Sequence, residues 1–279
     1  MNRRGTVKAS ASEARIRQLA STSPDPPAPG SALRRLARGT DTFFTIIMLI
    51  AEIYASLQGE GLLAGTPSTF VRTSGCNLRC VWCDTPFTSW RPEGRGMTVP
   101  EIVAAVVDLA PRHVVVTGGE PLLFAEVGPL CAELRRLGFH VTIETAGSVL
   151  PAAGPPACDL MSISPKLTSS APPADTPGDW ARRHAAARRR DDVLRALAAS
   201  APHQFKFVVE TAADIEEAVR WLDDLGPGID HDRVLLMPQA RTAEELATRS
   251  AWLAGECDRL GFRLAQRHHI LWFGGRRGT

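Results

Sequence analysis

Cys76, Cys80 and Cys83 place three thiols within eight residues, in the pattern C-x3-C-x2-C. Thiolates are soft ligands, and one loop carrying three of them can wrap a single compact inorganic centre. Structural zinc takes four protein ligands, usually as two separated pairs, whereas this loop supplies three. A 4Fe-4S cluster held by three thiolates keeps one iron free of protein ligands, and such an iron can bind and activate a small molecule. A zinc site completed by Asp84, or by a distant Cys or His, is the competing account of the triplet alone.

Five more stretches carry chemistry-bearing residues. Thr117-Gly118-Gly119-Glu120-Pro121 follows an apolar run. Its glycines let the backbone approach a ligand closely, and its carboxylate can accept from an ammonium. Leu57-Gln58-Gly59-Glu60-Gly61 and Phe70-Val71-Arg72-Thr73-Ser74-Gly75 precede the cysteines, and Asp84-Thr85 extend them. Ser162-Ile163-Ser164-Pro165-Lys166 closes a later apolar run.

In this order the cysteine triplet and the Gly-Gly-Glu-Pro turn resemble the radical S-adenosylmethionine (SAM) superfamily. With the other stretches they closely resemble the 7-carboxy-7-deazaguanine synthase family within it, over about residues 49–279. The resemblance implies a 4Fe-4S cluster on Cys76, Cys80 and Cys83, whose open iron chelates SAM and, once reduced, generates a 5′-deoxyadenosyl radical. It implies ring contraction of 6-carboxy-5,6,7,8-tetrahydropterin to 7-carboxy-7-deazaguanine with loss of ammonia, a step toward queuosine and other 7-deazapurines. The radical would take the C6 hydrogen and return one, regenerating SAM.

By the same resemblance Trp82, Asp84, Gly119, Glu120, Ser164, Pro165 and Lys166 contact SAM, and Thr85 ligates Mg2+ together with the substrate carboxylate. Leu57, Gln58, Gly59, Glu60, Arg72, Thr117, His269 and the terminal Thr279 meet the substrate, with Glu144 and Thr145 available to the SAM or the substrate wall. His268 competes with His269 for that place, since neighbours on an extended chain face opposite ways. An external one-electron donor such as flavodoxin or ferredoxin and a homodimer are implied as well. A guanidinium at Arg72 suits a carboxylate because it offers paired donors. Ala146 stands where the family pattern has an amide. Two alternatives stay open at this point: an activating enzyme for glycyl-radical proteins, and a zinc-stabilised binding module without catalysis.

Composition narrows the classes. A chain of 279 residues, 44% of them apolar, is long enough for one sizeable core. The formal charge is +2, but residues 1–40 hold eight Lys and Arg against two Asp and Glu, so the rest of the chain is mildly acidic. Direct nucleic-acid binding is therefore not expected from charge. The six cysteines lack a disulfide-like framework and the chain lacks a signal sequence, which points to the reducing cytoplasm. No apolar run is long enough to span a membrane.

Residues 1–45, rich in Ala, Ser, Pro and Arg, are expected to be disordered or a non-native extension, and residues 46–279 to form the catalytic domain. Strands are predicted at 46–53, 68–73, 113–117, 139–145, 159–164, 204–210, 233–237 and 269–273. Helices are predicted from the capping box Thr98–Glu101 to 110, at 125–137 and 188–199, from Thr211 to Gly226, and from Thr242 to Leu260. The alternation predicts an α/β fold, a partial (β/α) barrel of the radical SAM type with parallel strands and its working residues at the C-terminal strand ends. Residues 169–190 break the rhythm and are expected to be an insertion or lid. The basic run Arg188–Arg190 reads as a solvated helix start.

Overall fold

The computed structural model describes residues 47–274 and 276–279. The segment 1–45, expected to be disordered or non-native, lies outside the described residues. Among the described residues nine strands form one sheet: β1 (Met48–Leu57), β2 (Pro67–Thr73), β3 (Arg95–Met97), β4 (His113–Gly118), β5 (His140–Thr145), β6 (Leu160–Ile163), β7 (His203–Val209), β8 (Val234–Pro238) and β9 (Arg263–Leu264). Their order is β3-β1-β2-β4-β5-β6-β7-β8-β9. From β2 to β9 every neighbour is parallel.

β1 departs from the expected parallel arrangement, running antiparallel to both β2 and β3. A parallel crossover needs a dozen or more residues, and the loop 58–66 between β1 and β2 is too short for one. That short connection also holds the Gln58–Gly61 stretch at the sheet end.

Among the described residues eight α-helices accompany the strands: α1 (Pro86–Ser89), α2 (Val99–Val107), α3 (Val127–Arg136), α4 (Trp180–Arg188), α5 (Asp191–Ser200), α6 (Ala212–Leu225), α7 (Ala243–Leu260) and α8 (His268–Phe273). Three begin at the caps read from sequence. The Thr98 hydroxyl accepts from Glu101 N and the Glu101 carboxylate accepts from Thr98 N. Asp214 accepts from Thr211 N, and Thr242 and Glu245 cap α7 reciprocally. Each such cap is worth about 1 kcal/mol.

Period-two alternation divides the sheet into two faces. Val71, Val114, Val116, Ile143, Met161, Ile163, Phe205, Phe207, Val209 and Leu236 join the main apolar core with helical residues such as Leu130, Leu134, Leu197 and Trp221. The alternate positions Phe70, Arg72, Thr117, Glu144, Ser162, Lys206, Val208 and Met237 line a cavity on the other face. The helices thus bury one side of the sheet and leave the other to the site.

Three expectations change. Residues 269–273 form a helix, α8, instead of a strand; a short run such as Ile270-Leu271-Trp272-Phe273 has no decisive period, and the true last strand is β9. Arg188 ends α4 instead of opening a helix that runs to 199. Arg188–Arg190 is a solvated helix start only in part: Arg188 is half-buried, whereas Arg190 is exposed at the start of α5. Arg188 pairs with Glu217 at 2.7 Å, Arg189 with Asp191 and Asp224, and Arg190 with Asp192 at 2.8 Å.

Candidate active site

The cysteine loop leaves the C-terminal end of β2 and rests on the turn after β4. Gly119 N donates to Thr73 O at 3.2 Å and Glu120 N to Gly75 O at 2.9 Å. A Cβ on Gly118 would collide with the Thr73 carbonyl and one on Gly119 with that of Gly75, and Gly118 has φ of 140°. The two glycines are therefore required by backbone-to-backbone packing. Cys76, Cys80 and Cys83 gather with Leu78 and Ala146 in one small apolar cluster.

These thiols open on a cavity of about 320 Å3 that runs along the strand ends. Burial pushes the Cys76 thiol up to about 12 and Cys80 up to about 11. Without a metal both are held as thiols, and binding iron would displace their protons. Cys83 lies beside the Ser89 hydroxyl, 3.3 Å away. The donor set fits a three-thiolate cluster: three soft ligands on one loop, with no other cysteine lining this cavity among the described residues. Trp82 Nε1 is buried without a hydrogen-bond partner on the same wall, which suits a polar ligand beside the cluster. Ser164 and Lys166 also reach the wall, the Lys166 ammonium bridging the Ser164 carbonyl and hydroxyl at 2.9 and 2.8 Å.

Glu120 and Pro165 do not line the cavity. Glu120 is fully buried, and its carboxylate accepts from Thr145 Oγ1 and Ala146 N, both at 2.8 Å, and from Leu122 N at 3.0 Å. Its role here is to tie the β4 turn to the end of β5. An ammonium acceptor would need those lone pairs turned to the cavity.

At the other end of the cavity the short β1–β2 loop brings Leu57, Gln58, Gly59 and Glu60 together. Gln58 Nε2 donates to Glu144 Oε1 at 3.1 Å and Thr117 Oγ1 to Glu144 Oε2 at 2.9 Å. Glu60 accepts from Lys206 Nζ at 2.5 Å and from Arg267 Nε at 3.3 Å. Burial alone would raise the Glu60 carboxyl, but the charges of Lys206 and Arg267 outweigh it and hold the group well below the usual range. Arg267 then reaches Asp84 Oδ2 at 2.6 Å and Ala240 O at 2.6 Å, so one guanidinium links the β1–β2 loop to the cysteine loop.

Arg72 is held by Glu52 at 2.7 Å and the Tyr54 hydroxyl at 2.8 Å, with its side chain on the cavity wall. His269 lines the cavity, whereas the His268 ring stacks on Trp272. His268 N donates to Gly59 O at 2.9 Å, joining α8 to the loop. A Cβ on Gly59 would strike the His269 ring. Thr85, Asp84 and Thr279 are on the wall too.

Sequence reasoning passed over Lys206, Arg267, Tyr54 and Glu52. Lys206 left a trace, as a lone cation between Phe205 and Phe207 in the otherwise apolar second part of β7; a buried lysine is rare unless paired. Arg267 left none, because its partners are distant in the chain.

Comparison with known proteins agrees with this geometry. Residues 70–222 match the Radical SAM superfamily model. The 7-carboxy-7-deazaguanine synthase of Rhodopirellula baltica is 45% identical, the match covering 83% of this chain and 89% of that one. The enzyme of the same name from Halobacterium salinarum is 44% identical over 80% of this chain and 90% of its own. The fold matches the crystal structure of QueE from Escherichia coli with a TM-score of 0.59 and 22% identity, covering 83% of this chain and 100% of that one. The zinc-module and activating-enzyme alternatives fall away, and the chain belongs to the 7-carboxy-7-deazaguanine synthase family of the radical SAM superfamily.

Proposed function

We propose that this chain converts 6-carboxy-5,6,7,8-tetrahydropterin to 7-carboxy-7-deazaguanine with release of ammonia, in 7-deazapurine (queuosine) biosynthesis. The observation that carries this is one cavity with a three-thiol loop at one end and, at the other, amide, carboxylate and guanidinium groups able to read a flat acid. When bound, the cluster and SAM supply a 5′-deoxyadenosyl radical. Cys76, Cys80 and Cys83 would hold the cluster, and Trp82, Ser164, Lys166 and the Gly119 backbone would hold SAM against it.

The chain's own groups orient the substrate. Gln58 and Glu60 offer the alternating donors and acceptors that a pterin edge requires. Lys206 and Arg267 keep Glu60 ionised, so that it accepts and does not donate. Glu52 and Tyr54 fix the Arg72 guanidinium, which removes rotamer freedom before a carboxylate binds. Basic side chains outnumber acidic ones on the wall, a field that favours an anionic substrate.

The same reading assigns Mg2+ to Thr85 with Asp84 nearby, oxygen donors suited to a hard cation. It includes a flavodoxin or ferredoxin as electron donor, a homodimer, a cytoplasmic location and catalysis by residues 46–279. No helix among the described residues is long and apolar enough to cross a membrane. The test is anaerobic cluster reconstitution followed by SAM, Mg2+, a strong reductant and the tetrahydropterin, with products read by mass spectrometry. 7-Carboxy-7-deazaguanine in excess of consumed SAM is expected. Accumulation of 5′-deoxyadenosine alone would refute the substrate assignment.

A further inference from the structure

The 168–188 segment, which breaks the strand–helix rhythm, packs on the cysteine loop by contacts that the function above does not use. Arg79 N donates to His184 Nδ1 at 3.2 Å, and Val81 N donates to Ser170 O at 3.0 Å. The amides immediately before and after Cys80 are thus both held by this one segment. His184 is fully buried. Its second ring nitrogen meets Ser170 Oγ at 3.0 Å, and that hydroxyl donates its only proton to Leu167 O at 2.6 Å. His184 must therefore carry its proton on Nε2 and leave Nδ1 free to accept from Arg79.

Further contacts fix the same pair of elements. The Arg79 guanidinium lies 3.8 Å from the Trp180 ring centroid and donates to Cys76 O at 2.8 Å and Leu78 O at 2.7 Å. Ala187 packs against the three-cysteine cluster. At the far end Arg188 is anchored to Glu217 at 2.7 Å and to Lys166 O at 3.1 Å. A lid swinging on this segment would strip both amides flanking Cys80 of their acceptors, at a cost of about 1–3 kcal/mol for each left buried.

We infer that residues 168–188 are a brace for the cysteine loop, and that His184 is a positioning residue, aiming the Cys80 thiolate by holding the backbone on its N-terminal side. His184 does not line the cavity and acts through Arg79. The inference rests on the cluster reading of the triplet.

The experiment compares the full-length chain with His184→Ala and His184→Asn after anaerobic reconstitution. Iron and sulfide per chain, the electron paramagnetic resonance of the reduced cluster, and the rate of iron loss to a chelator are measured. His184→Ala should lose its cluster about 10-fold faster, the lower end of what outer ligand supports contribute. His184→Asn should recover most of that loss, since an amide oxygen can stand where Nδ1 accepts. Hydrogen exchange on the unsubstituted chain gives a readout that survives a misfolded variant: the Arg79 and Val81 amides should be protected without SAM or pterin. Equal cluster retention in His184→Ala and parent, or amide protection arising only on ligand addition as in a lid, would overturn the brace. A parent chain that takes up no cluster would instead overturn the cluster reading, and the brace with it.

Discussion

Replacing Glu60 by Ala should destabilise the cluster-free protein as well as weaken pterin binding. Glu60 is the shared partner of two buried cations: the Lys206 side chain is 6% exposed, that of Arg267 8% and that of Glu60 itself 15%. Arg267 keeps Asp84 as a second partner. Among the described residues Lys206 has Glu60 as its only salt-bridge partner within 4.0 Å, so Glu60→Ala leaves a buried ammonium with only the more distant Glu144 carboxylate to offset its charge. Breaking such a pair from one side costs about 3 kcal/mol, the low end being apt for a site that opens on a solvent cavity. For a domain of this size that corresponds to a fall in Tm of roughly 6–12 °C. Glu60→Gln keeps an acceptor oxygen and should lie between. Lys206→Met removes the cation, so the double variant Glu60→Ala/Lys206→Met should be more stable than the two single losses added together, by about 1–3 kcal/mol of coupling. Thermal and urea unfolding of the four proteins reads this directly. A Glu60→Ala protein that melts with the parent, or a double variant whose losses merely add, would refute the claim that Glu60 neutralises Lys206.

Replacing Cys76, Cys80 or Cys83 singly by Ala should abolish SAM cleavage while the far-ultraviolet circular dichroism stays native, because the loop lies beyond the sheet core; wholesale unfolding would count against this. Gly59→Ala puts a methyl group against the His269 ring. It should raise the KM for the pterin about 10-fold, within the penalty known for misplaced binding groups, and an unchanged KM would show that His269 does not bear on the substrate. Burial pushes His113 down to about 4, from its ordinary value of 6.5, between hydrogen-bonding Ser68 and Thr142. The folded state thus binds this proton more weakly than the unfolded chain does. The His113 contribution is full above pH 6.5, declines as pH falls from 6.5 to 4, and is gone below. Tm measured across that window should fall less steeply in His113→Gln, and equal slopes would contradict the assignment.

Much of this protein is written in short spans of sequence. Three thiols in eight residues must share a loop, and the capping residues Thr98, Thr211 and Thr242 mark helix starts because a cap is satisfied within four positions. Alternation along β7 already separates Phe205 and Phe207 from Lys206, since a strand turns each successive side chain to the opposite face. What tertiary structure decided is whatever joins distant positions. Glu60 meets Lys206 across 146 positions and Arg267 across 207, and no local pattern encodes a pair that the curvature of the sheet brings together. The same holds for orientation within a motif. Gly-Gly-Glu-Pro marks a close turn, but Thr145 and Ala146, from the next strand, turn Glu120 inward. The stretch 169–190 looks like an insertion or lid in sequence because Pro, Gly and Arg interrupt its period; His184 Nδ1 and the Ser170 carbonyl find their partners only once Arg79 and Val81 are folded against them.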